Sequence, residues 1–464
     1  MITYQDLLTA EKLDEFVFQV VRDYQSSDCY KDATVAYEYS RKKNVTIVNY
    51  QKLLYTMSGE AVPDNYSANH KCVSNFFQRF ITQENQYLLG NGIEFNEDGT
   101  KDKLGGESFD RAMQKAGKQA LWGAVAYCFL NLDHVEVFNA LEFAPLWDEE
   151  DGSLKAGIRF WQIDANKPMR ATLYELDGYT EYLRKKDGTI EELQPKRTYK
   201  QKVVSSGVDG TKIYDYENYP SFPIVPLWGN PDKQSELVGL RSQIDAYDLI
   251  KSGFANDLDD VSQIYWIINN AGGMDDLDLA KFLERIKTVR AAVVDEQGAH
   301  AESHTIEIPY AARESYLTRL ENDMYNDAMA LNVQALSNGN LTATAINAAY
   351  ESLNNKTDQF EYCVCDCIQG LLALLSIEDT PIFKRSKIVN QSEETTMILS
   401  AAQYLDDETI LKHLPFLSLD EIDFILDKRV EEEASRVSDL IGETQESLGE
   451  GEGEGEVEQE GEEE

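Results

Sequence analysis

The 464-residue sequence contains no apolar run long enough to cross a bilayer and no charged-then-apolar start typical of a signal peptide. These two absences predict a soluble, intracellular protein with no membrane partner. The six cysteines are too few for a disulfide scaffold in a chain of this length. A chain this long can bury a sizeable core, so we expect several lobes stabilised by apolar packing.

Recognisable catalytic motifs are also missing. There is no GxxxxGK[ST] phosphate loop and no GxSxG nucleophile elbow. His300 and His304 are four residues apart, but "AHAESHTIEIP" is typical of a loop entering a strand, which favours a solvated pair. Cys363, Cys365 and Cys367 alternate along a predicted helix, so they point to different sides and cannot face one metal. We predict free, buried thiols, no metal, no cofactor and no enzymatic activity.

Positive charge is scarce. The chain has 43 Lys and Arg against 83 Asp and Glu, a net charge of −40. Residues 441–464 contain eleven Glu and no Lys or Arg, and we predict that this tail is disordered because it has almost nothing to bury. The rest of the chain is acidic too, which excludes tight duplex binding driven by counterion release. Such a surface suits a protein that lets DNA pass without gripping it.

The pattern of apolar residues predicts an α+β fold. Helical spacing dominates the first 90 residues and includes a helix from about Ser67 to Gly90. Residues 135–228 instead contain short β-branched and aromatic runs separated by turns, which predicts an antiparallel meander.

Three long helices are predicted in the second half, over 235–263, 311–333 and 342–376. A compact α/β block over 264–310 separates the first two, and "SNGN" interrupts the chain before the third. The first helix has a long apolar stripe, and its acidic residues are predicted to lie on other faces. These acidic residues are Asp245, Asp248, Asp257, Asp259 and Asp260.

Three segments then carry a family resemblance. They are "NHKCVSNFFQRFITQENQYLLGNGIEF", "LSNGNLTATAINAAYESLNNKTDQFE" and "KIVNQSEETTMILSAAQYLDDETILKHLPFLSLDEIDFIL". In order and spacing they resemble the tailed-bacteriophage portal proteins of siphophages that infect Gram-positive hosts. In the second segment Thr344, Ala345, Ile346, Tyr350 and Leu353 occupy the places of the family's small-residue helix start and its Y-x-x-L pattern.

The resemblance implies a portal fold with long stem and tunnel helices, an antiparallel β-rich wing, a small α/β clip and a helical crown. The implied boundaries are 1–234 wing, 235–263 stem helix, 264–310 clip, 311–333 stem helix, 334–341 tunnel loop, 342–376 long tunnel helix, 377–395 wing return, 396–440 crown and 441–464 acidic tail.

The resemblance also implies a function. The family forms a ring, expected to be a dodecamer, at one capsid vertex of the virion, and it is assembled in the host cytoplasm. Double-stranded DNA is packaged and ejected through the ring. The implied partners are further copies of the chain, the terminase large subunit, a head-completion or adaptor protein, and the major capsid and scaffolding proteins.

The implied site is the tunnel loop, with Ser337, Asn338, Gly339 and Asn340 at its centre. Glycine permits backbone conformations closed to other residues, and asparagine tolerates turns while offering polar contacts without charge. Such a loop can line a constriction without holding DNA tightly. Read without the resemblance, the same residues are an ordinary connector between two helices.

A second candidate set lies in the clip, where cations are locally dense. Lys281, Arg285, Lys287 and Arg290 face either DNA or acidic residues of adjacent subunits, and the sequence favours neither. Two other functions compete with the portal. One is an acidic, non-enzymatic adaptor or scaffold module in virion assembly that binds basic partners through its tail. The other is a hydrolase with a dispersed carboxylate site.

Overall fold

The computed structural model describes residues 2–55, 59–65, 67–206, 212–260, 265–269, 300–304, 310–333, 343–386, 398–414, 422, 424–430 and 432. The chain divides into two compact units. One comprises Met1–Val333 with Tyr350–Ser386, and the other comprises Gln334–Ala349 with Lys387–Glu464.

Helices and strands alternate in blocks along the chain. The helices are α1 (Tyr4–Thr9), α2 (Leu13–Ser26), α3 (Asp28–Ser40), α4 (Val45–Val48), α5 (Phe76–Leu89), α6 (Thr100–Lys103), α7 (Glu107–Gly123), α8 (Arg241–Asp260), α9 (Tyr310–Asp327), α10 (Ala343–Leu374) and α11 (Asp407–His413). The strands are β1 (Leu53–Tyr55), β2 (Ala61–Pro63), β3 (Ile93–Phe95), β4 (Val125–Asn131), β5 (His134–Asn139), β6 (Phe143–Trp147), β7 (Leu154–Trp161), β8 (Met169–Glu175), β9 (Gly178–Arg184), β10 (Ile190–Arg197), β11 (Lys200–Ser206), β12 (Lys212–Glu217), β13 (Ile224–Trp228), β14 (Tyr265–Asn269), β15 (His300–His304) and β16 (Pro381–Phe383).

The predicted meander is confirmed as a five-stranded antiparallel sheet in the order β10-β9-β8-β7-β6. A second sheet has the order β13-β4-β5, and the remaining strands form antiparallel pairs. The mixture of long helices and antiparallel sheets confirms the α+β class. Wing, stem, clip and crown remain predictions.

Alternation along the meander assigns its two faces, because successive strand residues point to opposite sides. On β7, Ala156, Ile158 and Phe160 pack against α2, where Val17 and Phe18 are buried. The α2 sequence places apolar residues at helical spacing, so one face of this helix covers one face of the sheet. The result is a local core separate from the main one.

The main core is built around α5, α7, β4 and the later part of α10. Gly117 on α7 permits a close approach, because a Cβ atom there would lie 2.4 Å from the Asn85 side chain and 2.9 Å from that of Leu89. The absence of a side chain at Gly117 lets α5 and α7 pack closely. Burial of the surrounding apolar surface is the main stabilising contribution.

Three details of the sequence prediction were wrong. Helix α5 begins at Phe76 instead of Ser67, because the preceding amides bond to side chains of α8. His300 and His304 lie in β15, paired with β14, and not in a loop. The apolar stripe of the first long helix is buried only in its early part; Ile244 is fully buried, whereas Leu258 is 49% exposed.

Candidate functional site

The residues that the sequence singled out lie outside the described residues. This applies to Ser337, Asn338, Gly339 and Asn340, and to Lys281, Arg285, Lys287 and Arg290. The structure describes the two segments that flank 334–341 in the sequence, namely the end of α9 and the body of α10.

The chain is fixed just before the predicted loop. Helix α9 ends at Asp327, and Met329 takes a left-handed conformation with φ of 53°. Two residues later the Gln83 side chain on α5 bonds to both backbone groups of Leu331, donating to its carbonyl and accepting from its amide, each at 3.0 Å. The side-chain carboxamide of Gln83 therefore makes the same two bonds to Leu331 that the backbone of a neighbouring strand would make. These bonds fix the position at which the chain leaves α9.

A buried ion cluster fixes α10. Lys356 Nζ lies 2.9 Å from Glu84 Oε2 on α5 and 2.7 Å from Glu236 Oε2 in the segment before α8. It also donates a hydrogen bond to the carbonyl of Ala328, at 3.2 Å. The three donors of one ammonium group thus contact three other parts of the chain. We call Lys356, Glu84, Glu236 and the Ala328 carbonyl the lysine cluster.

Burial controls the protonation of the lysine cluster. Withdrawal from water raises the pKa of Glu84 to about 7, with the Lys356 ammonium opposing this and the Glu236 carboxylate adding to it. The two carboxylates hold the pKa of Lys356 above its usual value although burial acts in the other direction. Glu84 Oε2 makes no well-directed hydrogen bond, so its close contact with Lys356 is best described as ionic.

A second set of contacts lies farther along α10. The Arg385 guanidinium, just after β16, donates to Glu361 at 2.7 Å and also bonds to Asp358. The Tyr87 hydroxyl on α5 donates to Asn354 at 2.5 Å. These contacts attach the returning chain and α5 to the same helix that carries Lys356.

Helices α8 and α9 form an antiparallel pair. Arg313 pairs with Asp257 at one end, and Gln243 donates to Asp327 at the other. The rings of Phe254 and Tyr310 meet edge to face between them, with centroids 5.6 Å apart. These three contacts hold the two helices side by side.

Residues 68–75 form what we call the strap, a segment that runs along α8. The backbone amides of His70, Cys72 and Ser74 donate to side chains of α8, at 2.6, 2.9 and 2.9 Å. The acceptors are Asn256, Ser252 and Asp248, respectively. Alternate amides that face one side are typical of an extended chain, and residues four apart on a helix share a face.

The strap corrects the prediction for the acidic residues of α8. Asp248 is fully buried, and it also accepts from Asn44; burial raises its pKa. Asp245 bonds to Tyr39 and Thr46. These two carboxylates are therefore internal hydrogen-bond acceptors, because α3, α4 and the strap bring donors to them.

The six cysteines are free thiols, of which Cys128 and Cys367 are buried, Cys363 and Cys365 are half-buried, and Cys29 is exposed. Cys367 on α10 contacts Cys128 on β4, and this contact together with burial raises the pKa of Cys367. In the same region Gly370 lies against Val225 of β13, where an added Cβ would be only 2.8 Å from a methyl group. Helix α10 therefore crosses this sheet closely.

The sequence reasoning missed the lysine cluster, although a signal was present. Lys356 lies three residues after buried Leu353 and four before buried Phe360. Glu84 lies four residues after buried Phe80 on α5. A charged residue inside an apolar stripe needs a partner when it is buried, so opposite charges in two such stripes predict an ion pair.

Within the part of the chain that the structure describes, no group of three or more His, Cys, Asp and Glu could hold a metal ion. Over the same residues, none of the helices combines the length and apolar character needed to span a membrane.

Comparison with known proteins identifies relatives along most of the chain. Residues 27–436 match the family model described as "Phage portal protein, SPP1 Gp6-like". The portal protein of Clostridium phage phiCD119 is 29% identical over 232 residues, which cover 48% of this chain and 51% of the relative. The chain thus spans about half the length of that relative. The portal protein of Bacillus phage SPP1 is 21% identical over 423 residues, covering 84% of this chain and 82% of the relative.

Two solved structures show more distant similarity. The neck of a native gene transfer agent particle, computed with C12 symmetry, has a TM-score of 0.42 and 11% identity, covering 74% of this chain and 90% of that one. The virion of a native gene transfer agent has a TM-score of 0.38 and 12% identity, covering 76% and 89%. The family match along 27–436 carries the assignment: the chain belongs to the SPP1 Gp6-like family of phage portal proteins.

Proposed function

We propose that the chain forms a ring, expected to be a dodecamer, at one vertex of a phage capsid, and that double-stranded DNA is packaged and ejected through its axial channel. The observation that carries this proposal is the portal-family match over 27–436. The protein acts as a structural part of the virion, assembles in the host cytoplasm, and needs neither enzymatic activity nor a cofactor.

The fixed positions of the end of α9 and the body of α10 support a role for 334–341 as the tunnel loop. Gln83 fixes the chain at Leu331 before this segment, and the lysine cluster fixes α10 at Lys356 after it. We infer that the loop changes conformation without moving the rest of the protein, because both of its supports are attached to α5. Under this proposal Gly339 permits the movement, while Ser337, Asn338 and Asn340 offer weak polar contacts to phosphates.

The proposed partners follow from the same role. The block 264–310 would be the clip that meets the terminase large subunit and a head-completion or adaptor protein, with Lys281, Arg285, Lys287 and Arg290 facing either DNA or acidic neighbours. Residues 396–440 would be the crown. The first 234 residues would be the wing that meets the major capsid and scaffolding proteins, and α8 and α9 would line the stem.

Electron microscopy of the purified protein tests the ring. End-on class averages should show rings with a central hole about as wide as a DNA duplex, ~20 Å. Compact monomers at high protein concentration would argue against the ring and favour the acidic adaptor as the function.

The tunnel loop is tested by Gly339→Pro, with Gly339→Ala as an intermediate variant that keeps the backbone amide but loses part of the conformational freedom of glycine. The proline fixes φ and removes a donor, so we expect normal rings but reduced DNA packaging, measured as nuclease-protected DNA per particle. Unchanged packaging by the proline variant would contradict a mobile loop.

A further inference from the structure

Two adjacent turns at one end of the five-stranded sheet carry an excess of positive charge in this acidic protein. They span residues 162–170 and 184–189, which together contain five basic and two acidic residues; we call them the basic tip. Met169 is the cross-strand partner of Arg184, and Lys186 Nζ donates to the Asn166 side chain at 2.7 Å. The two turns therefore form one surface.

Internal hydrogen bonds give the basic tip a defined shape. The Asp164 side chain accepts from the amide of Asn166 and its backbone carbonyl accepts from the amide of Lys167, each at 2.8 Å. Asp187 accepts from the Thr189 amide at 2.9 Å, and these bonds lower the pKa of Asp187. Both acidic side chains are therefore occupied within their own turns.

Within the described chain, three of the five cations of the basic tip are exposed and unpaired, whereas Arg184 lies over the Phe18 ring and Lys185 pairs with Glu191. Lys167, Arg170 and Lys186 are exposed, and among the described residues none of the three forms an ion pair. Ile163 lies in the first turn, four residues before Lys167. Its side chain is 87% exposed, the largest exposed fraction of any large apolar side chain in the described part of the chain. The tip thus combines one exposed apolar side chain with three exposed cations that pair with none of the described carboxylates.

A surface of opposite character lies elsewhere on the same unit. A cavity of about 730 Å³ opens between the end of α10 and the loop before α6. Leu372, Ala373 and Ile377 provide its apolar floor, while the exposed carboxylates of Glu97 and Glu378 stand at its rim. We call this the acidic depression.

We propose that the basic tip of one copy docks into the acidic depression of a second copy. The charges are opposite, and Ile163 matches the apolar floor. No hydrogen bond or ion pair joins the two surfaces within the described residues of one copy, so both are available to another copy. Since the two patches differ, the contact is head-to-tail, the type that forms a ring when the rotation between copies closes. This inference rests on the proposed ring and names the surfaces that form it.

Charge reversal tests the pairing. The tip variant is Lys167→Glu with Lys186→Glu, and the depression variant is Glu97→Lys with Glu378→Lys. We expect each alone to raise the protein concentration needed for half-assembly by at least roughly tenfold, because like charges then face each other. Ring formation is measured by size-exclusion chromatography and electron microscopy. Lys12→Glu, just before α2, with Lys31→Glu on α3 makes the same charge change as the tip variant and is the control.

Complementation makes the test specific. Combining the tip and depression reversals in one chain should restore rings. Mixing the two variants should also restore them, as alternating rings with an even number of subunits. Ile163→Asp should weaken assembly without changing the circular dichroism spectrum, because this side chain is exposed in the subunit.

Each outcome has one meaning. Rings formed equally by the wild type, the control and both reversals would overturn this interface while leaving the proposed function intact. Loss in both reversals without rescue by combination or mixing would overturn it too. Absence of rings in the wild type would instead count against the proposed function itself.

Discussion

Lys356 Nζ lies 2.9 Å from Glu84 Oε2, with 14% of the lysine side chain and 3% of the glutamate side chain exposed. A charge withdrawn from water is tolerated only when a partner and hydrogen bonds replace its hydration. The pair therefore joins α5 to α10 by a contact that is costly to break from one side. Its contribution to stability is measurable through single substitutions.

Lys356→Met should destabilise the protein strongly. The methionine fills a similar volume, but it leaves Glu84 and Glu236 without their ammonium partner, and losing one member of a buried pair costs about 3–5 kcal/mol. Urea unfolding at fixed protein concentration measures the loss. Lys12→Met, which breaks an exposed pair with Glu15, is the control and should leave the urea midpoint unchanged. A midpoint for Lys356→Met equal to that of the control would contradict the prediction.

Glu84 should make stability depend on pH near neutrality. Its pKa is raised to about 7 from its ordinary value of 4.5, so between these values the folded protein binds more protons than the unfolded chain. Its contribution is therefore present in full below about pH 4.5 and is lost as the pH rises through 7. Glu84→Gln cannot titrate there.

The measurement is the difference in unfolding free energy between wild type and Glu84→Gln at several pH values. Acidification from pH 7.5 to 5 should shift it in favour of the wild type by about 1 kcal/mol or more, since one unit of pKa shift corresponds to about 1.4 kcal/mol. Glu107→Gln, at a position with 91% of the side chain exposed, corrects for the general effect of removing one carboxylate. A difference that does not change with pH would rule out this role for Glu84.

Two helical glycines should respond oppositely to alanine. Gly370→Ala places a Cβ 2.8 Å from Val225, and overpacking typically costs about 1–3 kcal/mol. Gly253→Ala on α8 meets nothing within 4 Å, so it should gain up to about 1 kcal/mol from the higher helix propensity of alanine. Thermal or urea unfolding of both variants gives the comparison. Equal shifts in the same direction would mean that α10 does not cross the sheet this closely.

Asp248→Ala should destabilise the attachment of the strap. The substitution leaves the Ser74 amide and the Asn44 side chain without their acceptor, and an unsatisfied buried donor costs about 1–3 kcal/mol. Hydrogen exchange should show faster exchange of the amides of Cys72 and Ser74. Asp323→Ala on the solvent side of α9, where the side chain is 51% exposed, should leave both amides unchanged. Continued protection in the Asp248 variant would contradict the assigned acceptor.

Periodicity made the regular elements predictable. Helix α10 was expected over 342–376 and is observed at Ala343–Leu374. Both this helix and the meander follow from the local spacing of apolar residues, which tertiary packing did not override. Helix α5 has equally strong apolar spacing, but its start depends on hydrogen bonds from the strap to side chains of α8 that lie 174 and 180 residues away in sequence. No local signal reveals that the amide of Ser74 bonds to Asp248 instead of continuing a helix.

The polar contacts were harder to foresee for the same reason. Asp248 and Asp257 resemble any solvated acidic residue in sequence, and only the fold shows that one accepts from the strap and the other pairs with Arg313. The lysine cluster was more accessible, since Lys356 interrupts a stripe of buried residues. The candidate residues in 334–341 and in the clip were named because of the family resemblance, and their roles remain predictions.

The strap along α8 has a consequence for how this sequence can change. Two residues of extended chain advance about 6.6 Å, whereas four residues of helix advance about 6.0 Å, so three successive contacts are nearly in step. Removing or adding one residue before Ser74 would shift the strap by one position and exchange its side chains between the two faces of the extended segment. Insertions and deletions in this stretch of the family should therefore occur in pairs of residues, and the segment should keep the parity of its length even where its side chains diverge.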